Sequence, residues 1–250
     1  MRDQNARLSM ARERLARARS VVVLTGAGIS AESGIATFRG GMDALWKDFD
    51  PQTLATPEAF ERDPEMVTRW YDWRRLKCLD AAPNPGHLAL ATLESRLSAQ
   101  SGRFTLLTQN VDRLHQRAGS RCVVELHGTI MEWRCCRSGR PVPTPAGAWD
   151  TFPPASPHTP GALVRPNVVW FGEALPEAAL AAATDVSRSC DVFMSVGTSA
   201  LVYPAAGFIK VAAASGAFTI EVNRDPTPIS SSVDCALHGL AGELLPRLVL

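Results

Sequence analysis

The chain has 250 residues, of which 46% are apolar and 20% are charged, and its formal net charge is +1. This length suits one large domain, or one domain with a smaller insertion, and it is enough to bury a sizeable core. A charge this close to zero excludes a bulk electrostatic preference for nucleic acid or for an acidic membrane surface. The chain lacks an apolar run of about 18 residues and an N-terminal apolar core, so we expect neither a transmembrane helix nor a signal peptide.

The first predicted element is a helix in the basic stretch ARLSMARERLARARS, residues 6–20. Leu8, Ala11 and Leu15 recur at helical spacing, so they predict one buried stripe with the arginines facing water. An arm that binds nucleic acid is the alternative interpretation, and the apolar stripe favours a packed helix over it.

Six short runs rich in Val, Ile, Leu and Phe are predicted as strands, at residues 21–25, 104–108, 123–126, 168–171, 192–196 and 218–222. Most of them are continuously apolar rather than alternating, which is typical of strands covered on both faces of a parallel sheet. Helical patterns lie between several of these runs, at residues 86–100, 175–189 and 203–216. This alternation predicts an α/β fold with a doubly wound, Rossmann-like parallel sheet and helices on both faces.

Two segments interrupt the alternation. Residues 40–80 are charged and Trp-rich with helical spacing, and residues 134–163 contain seven prolines and little periodicity. We predict that these two insertions form a small lobe beside the sheet, within one catalytic unit that spans residues 1–250. The large lobe would then consist of residues 1–39, 81–133 and 164–250.

The first predicted strand leads into GAGISAESGIATFRG, residues 26–40. Gly26 and Gly28 lack side chains, so the backbone can approach a pyrophosphate there, and a following helix capped by Ser30 would direct its N-terminal amides at the anion. A GxG after a strand is a weak signal, because tight turns in other α/β proteins use it too. The hydride-transfer dinucleotide fingerprint is not matched. Ala31 stands where it wants a third glycine, a change that it sometimes tolerates, but no acidic residue follows the second predicted strand in the usual place.

The same stretch resembles the nucleotide-binding segment of the sirtuins, which are NAD-dependent protein lysine deacylases. Five further segments follow in the family's order: TQNVDRLHQRAG at 108–119, ELHG at 125–128, VVWFGE at 168–173, VGTSALVYPAA at 196–206 and EVN at 221–223. Six motifs in the correct order are far more specific than any one of them. The resemblance covers the predicted sheet lobe from residue 21 onward.

The resemblance implies that NAD is consumed as a co-substrate. Gln109, Asn110 and Asp112 would meet the nicotinamide ribose and carboxamide, which need both donors and acceptors; a helix cap is a second role for Asn110 and Asp112. Phe38 and Arg39 fall in the loop that closes over NAD in similar proteins. The full set implied to bind NAD is Gly26, Ala27, Gly28, Ile29, Ser30, Glu32, Ser33, Phe38, Arg39, Gln109, Asn110, Val111, Asp112, Gly197, Thr198, Ser199, Asn223, Arg224, Asp225 and Ala241.

His127 directly follows a predicted strand, at the end of the sheet where α/β folds collect their sites. By the resemblance it is the catalytic residue. The acyl oxygen of the substrate attacks the ribose carbon as nicotinamide leaves, and His127 then takes a proton from a ribose hydroxyl. An imidazole suits that task because its unperturbed pKa is about 6.5. His87 and His115 are interpreted as structural, at a helix start and in helix packing respectively.

The segment RWYDWRRLKC, residues 69–78, indicates which acyl group the substrate lysine carries. Tyr71 and Arg74 lie on one face of a helix, and a phenol with a guanidinium can bind a carboxylate through charge-assisted hydrogen bonds. The pair resembles the one that marks the bacterial and mitochondrial, class III branch of the sirtuins, which removes succinyl, malonyl and glutaryl groups. Ala55 matches a small residue that leaves room for the longer chain. A solvated helix face is the alternative, and acetyl-lysine is a second substrate.

The expected partners are acyl-lysine proteins or peptides, with no nucleic acid and no membrane, and we expect a monomer. Val168, Phe171 and Gly172 would receive the substrate backbone as an added strand. Two other functions use the same site: NAD hydrolysis or ADP-ribosyl transfer, and a catalytically inactive NAD-sensing module.

Six cysteines lie scattered at positions 78, 122, 135, 136, 190 and 235, which predicts no disulfide framework and a cytoplasmic location. Most sirtuins bind a structural zinc with two CxxC pairs after the catalytic histidine. Here Cys135 and Cys136 are adjacent and the next cysteine is Cys190, so we predict no zinc. A mixed site that uses His158 and acidic side chains is the alternative.

Overall fold

Two sheets organise the chain, and the computed structural model describes residues 2–36 and 51–249. The strands are, in chain order, β1 Ser20–Thr25, β2 Arg103–Thr108, β3 Val123–Glu125, β4 Gly128–Cys135, β5 Pro141–Val142, β6 Val164–Val168, β7 Val192–Val196, β8 Phe218–Asn223 and β9 Cys235–His238. Six of them form a parallel sheet in the order β3-β2-β1-β7-β8-β9. The direction of winding reverses between β1 and β7, which is the switch point where α/β sheets bind ligands.

The helices of the described residues are α1 Arg2–Arg17, α2 Pro51–Leu54, α3 Pro57–Arg62, α4 Pro64–Asp80, α5 Pro85–Ala99, α6 Leu114–Arg117, α7 Glu177–Arg188, α8 Phe208–Ala214 and α9 Ala241–Val249. Helices α1, α5 and α9 pack on one face of the parallel sheet, and α7 and α8 pack on the other. The doubly wound, Rossmann-like class is therefore confirmed.

The continuous apolar runs are explained by burial on both faces. In β1, Val21 and Val23 contact the core under α1, α5 and α9, whereas Val22 and Leu24 contact the core under α7 and α8. Five of the six predicted strands lie in the parallel sheet, and the three predicted helical segments are helical. The N-terminal stripe is also confirmed, because Leu8, Ala11 and Leu15 are all buried.

A small lobe stands beside the parallel sheet. Its strands pair antiparallel in the order β5-β4-β6, and helices α2, α3 and α4 pack on them. The shared core contains Trp70 of α4 and Trp133 of β4, together with Trp170, which follows β6. The lobe thus combines a helical insertion with strands, as far as residues 51–80 and 128–170 describe it.

The prediction of a parallel strand at residues 168–171 is wrong. The strand there is β6, which begins at Val164, ends at Val168 and belongs to the antiparallel sheet. Its sequence VRPNV has no strand pattern, whereas Val168 and Trp170 are apolar because they fill the small-lobe core. The predicted lobe boundaries assign most residues of β4 and all residues of β6 to the large lobe. In the structure both strands belong to the small antiparallel sheet.

Candidate active site

Two glycine loops meet at the switch point, where β1 and β7 end. The amide of Gly26 donates to Val196 O at 3.0 Å, and the amide of Gly28 donates to Gly197 O at 2.8 Å. A Cβ on Gly28 would lie 2.7 Å from Gly197 O, and one on Gly197 would lie 2.4 Å from Ile29 N. The glycines are therefore required by contact between the two loops, in addition to any contact with a pyrophosphate.

Amide side chains from the end of β2 complete this crevice. Gln109 Nε2 donates to Thr198 Oγ1 at 3.1 Å, which joins the segment after β2 to the segment after β7. Asn110 Nδ2 donates to Gly26 O and to Ser30 Oγ, both at 3.1 Å. The structure therefore brings together three of the predicted NAD-binding segments at one end of the sheet.

Ser30 is the centre of a buried polar network. It lies within a 3₁₀ helix, Ala27–Ser33, that begins after Gly26 with no side-chain cap, so the predicted capping role of Ser30 is wrong. Its hydroxyl instead donates to Asp112 Oδ2 at 2.7 Å, and Asp112 Oδ1 accepts from the Leu114 amide at 2.9 Å. Burial raises the pKa of Asp112, against these two hydrogen bonds.

Two buried histidines extend the network. His87 Nδ1 accepts from the Asn84 amide at 3.3 Å, which directs His87 Nε2 towards Ser30 Oγ at 3.5 Å. The His115 ring lies 4.8 Å from the His87 ring, and its Nε2 contacts Thr25 Oγ1 at 2.9 Å. Burial lowers the pKa of His87 to about 4 and that of His115 to about 3, so both rings are neutral near pH 7.

The remaining predicted NAD-binding residues lie at the ends of β8 and β9 or on the 3₁₀ helix. The Glu32 carboxylate accepts from the amide of Gly242 at 2.7 Å, which brings the first glycine loop against the start of α9 beside Ala241. Asn223 Nδ2 donates to the Asp225 carbonyl at 2.8 Å, and Arg224 pairs with the Asp225 carboxylate. The prediction also includes Ser33, whose hydroxyl accepts from Asn84 Nδ2. Ala27 begins the 3₁₀ helix, and Val111 packs against the small-lobe core. Ser199 follows Thr198, and Phe38 and Arg39 lie outside the described residues.

His127 lies in the turn that connects the two sheets, between β3 and β4. Its Nδ1 is 3.1 Å from Gln109 O. A carbonyl only accepts, so Nδ1 carries the hydrogen and Nε2 is left as the proton acceptor of the neutral ring. Burial lowers the pKa of His127, against the Gln109 hydrogen bond. Gly128 follows at φ +72, where a Cβ would lie 2.2 Å from Asn167 O, so the turn requires glycine.

The predicted acyl-binding residues converge on the small-lobe core. Ala55, Tyr71 and Val168 are buried in it together with Trp170. The amide of Phe171 donates to Ala55 O at 2.9 Å, which joins the segment after β6 to the helical insertion. Arg74 stacks on Trp70 at 4.7 Å from the ring centroid and lies 5.7 Å from the Tyr71 ring. Residues predicted from three separate segments are thus neighbours.

Tyr71 and the charge beside it favour a ligand that accepts hydrogen bonds. Burial raises the pKa of Tyr71 to about 12, and Arg74 opposes that rise. The phenol is therefore protonated at neutral pH and can donate a hydrogen bond beside a guanidinium. A carboxylate accepts only, so its oxygens match this pair.

The segment after β6 is fixed by an ion pair that the sequence analysis missed. Arg165 Nη1 and Nη2 donate to the two carboxylate oxygens of Glu173 at 2.7 and 2.9 Å. The Trp170 amide donates to Glu173 Oε2 at 2.9 Å, and Gly172 adopts φ +87. Phe171, at the tip of this bend, is 39% exposed. Glu173 ends the VVWFGE motif, but neither its distance from Arg165 nor its partner can be read from the sequence.

Residues 26–204 match the protein-family model described as the Sir2 family. The chain belongs to the Sir2 family. An NAD-dependent protein deacylase from Thermus thermophilus is 52% identical over 244 residues, which are 97% of this chain and 94% of that protein. NAD-dependent protein deacylase 2 from Pyrobaculum aerophilum is 49% identical over 241 residues, 94% of this chain and 92% of that protein.

Solved Sir2 structures share the fold over almost the whole chain. A Sir2 homolog–NAD complex superposes with a TM-score of 0.88 at 42% identity, covering 96% of this chain and 92% of that one. A Sir2 homologue variant in complex with 2′-O-acetyl ADP ribose superposes with a TM-score of 0.87 at 43% identity, covering 95% and 93%. These ligands belong to those proteins, and what they share with this chain is the fold.

The two cysteines that follow His127 differ in exposure. Cys135 is buried and Cys136 is exposed. Hydrogen bonds from Ser138 and Ser156 lower the pKa of Cys135 to about 6. His158 Nε2 lies 2.7 Å from the Pro141 carbonyl, so this ring nitrogen acts as a donor. Among the described residues, no three His, Cys, Asp or Glu side chains are placed to bind one metal ion.

The described residues also include no helix that is long and apolar enough to cross a membrane. All six cysteines are free thiols in the described part of the chain.

Proposed function

We propose that this Sir2 chain is an NAD-dependent protein lysine deacylase that prefers succinyl and malonyl groups and also removes acetyl groups. The observation that carries the proposal is the position of His127, whose Nε2 is free to accept a proton in the turn between the glycine-loop crevice and the acyl-binding core. Support comes from the similarity to NAD-dependent protein deacylases and to Sir2 structures with NAD and 2′-O-acetyl ADP ribose.

In the proposed reaction, the acyl oxygen of the substrate lysine attacks the ribose carbon as nicotinamide leaves. His127 acts as general base on the neighbouring ribose hydroxyl, which attacks the acyl carbon. Addition of a water molecule and cleavage of the bond to nitrogen then release the lysine amine and leave the acyl group as an ester on ADP-ribose. Gln109, Asn110 and Asp112 are proposed to orient the ribose and the carboxamide, with the glycine loops around the pyrophosphate. The chemistry is consistent with the carbonyl contact at His127 Nδ1, because that contact leaves the other nitrogen basic.

The preference for acidic acyl groups is proposed from the donors that face the small-lobe core. Tyr71 and Arg74 are the proposed carboxylate ligands, and Ala55 leaves room for the chain between them and His127. Val168, Phe171 and Gly172 are proposed to pair with the substrate backbone. Arg74 is half-buried between Trp70 and Tyr71, which disfavours the alternative of a solvated helix face.

We further propose that the enzyme needs no zinc and acts as a monomer on acyl-lysine proteins in the cytoplasm, without nucleic acid or membrane. The adjacent cysteines and the engaged His158 support the absence of zinc, and six free thiols support a reducing compartment. Elemental analysis of the purified protein tests the metal: stoichiometric zinc that EDTA removes with loss of folding would overturn this part.

The activity is tested with succinyl-, malonyl-, glutaryl- and acetyl-lysine peptides of one sequence, each with NAD. We expect 2′-O-acyl-ADP-ribose by mass spectrometry and a higher kcat/KM for the acidic groups. Arg74→Met should lower the succinyl kcat/KM at least tenfold and the acetyl value much less, since it removes one charge-assisted contact. Free ADP-ribose or modified protein without acyl-ADP-ribose would support NAD hydrolysis or ADP-ribosyl transfer instead, and His127→Ala with unchanged turnover would refute the mechanism.

A further inference from the structure

The proposed acyl-binding core contains a polar group without an assigned role, the indole N–H of Trp170. Trp170 is 2% exposed, and its Nε1 is buried with no acceptor in hydrogen-bonding geometry among the described residues. Buried donors are almost always paired, and an unpaired one is unfavourable. This N–H is therefore available to a ligand atom that accepts a hydrogen bond.

The Trp170 ring lies beside the groups proposed to bind the acyl carboxylate. Its centroid is 6.2 Å from that of Tyr71 and 5.3 Å from that of Phe60. The Arg74 guanidinium lies 5.7 Å from the centroid of the Tyr71 ring. The guanidinium, the phenol and the indole are therefore neighbours in one part of the small-lobe core.

Contacts with Arg165 and Glu173 fix the position of the indole. The Arg165 guanidinium lies 3.3 Å from the Trp170 ring centroid, and the same guanidinium makes the two-point ion pair with Glu173. The Trp170 amide also donates to that carboxylate. Both the ring and its backbone are thus fixed by a single, partly buried ion pair, so the N–H is preorganised and does not depend on a ligand for its position.

We propose that Trp170 Nε1 is a third donor to the carboxylate of an acidic acyl group, and so a specificity-determining residue. The inference rests on the proposed preference for such groups. A carboxylate has two oxygens with about four acceptor positions, enough for a phenol, a guanidinium and an indole together. An acetyl group carries no acceptor at its end, so it would leave the N–H unpaired, and a site built to bond a polar group discriminates strongly against a substrate that lacks it.

The test is Trp170→Phe, which keeps an aromatic ring and removes the N–H. We expect the KM for a succinyl-lysine peptide to rise about tenfold, which corresponds to one hydrogen bond to a charged group. The KM for the matching acetyl-lysine peptide should change less than about twofold, and kcat should change little for either. Trp133→Phe is the matched control, because Trp133 is in the same core and its Nε1 is likewise buried without an acceptor, but it stacks on Trp149 instead.

Equal effects of Trp170→Phe on both peptides, or no effect on either, would overturn the inference. A wild-type enzyme without a preference for acidic groups would instead overturn the proposed function, so the two failures are distinguishable. If the variant does not fold, ¹⁵N-labelled wild-type protein decides the matter. A succinyl-lysine peptide should shift the Trp170 indole N–H resonance strongly and an acetyl-lysine peptide should not, and an unmoved resonance refutes the third donor.

Discussion

At the scale of single residues, one hydrogen bond fixes the tautomer of the His127 imidazole, and burial disfavours the charged form of that ring. The Gln109 carbonyl holds the hydrogen on Nδ1, and burial lowers the pKa below the ordinary 6.5. A lowered pKa keeps the neutral, basic ring populated as the pH falls. The residue is therefore ready to accept a proton over the whole physiological range.

We expect the acid limb of kcat/KM for deacylation to lie below pH 6.5, since His127 must be neutral to act as base. Initial rates with a subsaturating succinyl-lysine peptide, measured across the acid range, give the apparent pKa. His127→Asn should abolish turnover while NAD still protects the protein against thermal unfolding. An acid limb well above neutrality would contradict the assignment.

The glycine loops allow a steric prediction without backbone strain. Gly28 does not have a positive φ, but a Cβ there would lie 2.7 Å from Gly197 O, whereas a Cβ on Gly147 would meet open space. Gly28→Ala should therefore destabilise the fold by about 1–3 kcal/mol, as for overpacking, and raise the KM for NAD. Urea unfolding and NAD titrations compare it with Gly147→Ala, and equal effects of the two substitutions would show that the loops separate freely.

Much of the candidate site could be predicted from motif order, because Gly26, Asn110, His127 and Gly197 each follow a strand of one parallel sheet. Parallel strands place their carboxyl ends together, so sequence order alone brings these residues close. The Arg165–Glu173 pair could not be predicted, because it depends on how the chain bends after β6. No local pattern specifies that bend.

Among the elements, α4 is tied to the Pro-rich insertion by a buried charge pair. Asp72 and Arg75 are both 2% exposed and pair at 2.7 Å. Arg75 also donates to the carbonyls of Pro145 and Gly147, and Asp72 Oδ2 accepts from the Trp149 amide at 3.1 Å. We call these contacts of Asp72 and Arg75 the clamp. The clamp joins the two insertions of the small lobe, and its two side chains directly follow Tyr71 and Arg74 in the sequence of α4.

Arg75→Met should cost about 3–5 kcal/mol of unfolding free energy, because it leaves Asp72 buried without its partner. The matched control is Arg69→Met on the same helix. Arg69 pairs with Glu65, both about half exposed, so its loss should cost about 0–1 kcal/mol. Urea denaturation of the two variants and the wild type measures both values. Similar losses for both would mean that the clamp contributes no more than a surface pair.

Five strands of the parallel sheet were predicted from the sequence, whereas β9 and the strands of the small sheet were not. A strand such as β1 is buried on both faces, so nearly every residue is apolar. Strand β6 is short, contains Arg165 and Pro166, and pairs with β4 through an irregular register. Strand β6 is therefore specified by its pairing with β4 in the tertiary structure and not by the pattern of its own sequence.

For the whole molecule, two neutral histidines inside the large lobe imply that the fold loses stability in acid. His87 and His115 lie between the first glycine loop, α5 and α6, and their pKa values are lowered by burial to about 4 and about 3 from 6.5. The unfolded chain therefore binds more protons than the folded one between these values and 6.5. The contribution of the two rings to stability should be full above pH 6.5 and should be lost progressively as the pH drops from 6.5 towards about 4 and then about 3.

Urea midpoints from about pH 7.5 down to about pH 4 test this link between histidine burial and the fold. His115→Gln keeps a donor for Thr25 but cannot be protonated, so the midpoint of this variant should fall less steeply with acid than that of the wild type, even if it is lower at pH 7.5. His158→Gln in the small lobe is the control. A wild-type midpoint that falls no faster with acid than that of His115→Gln would contradict the link.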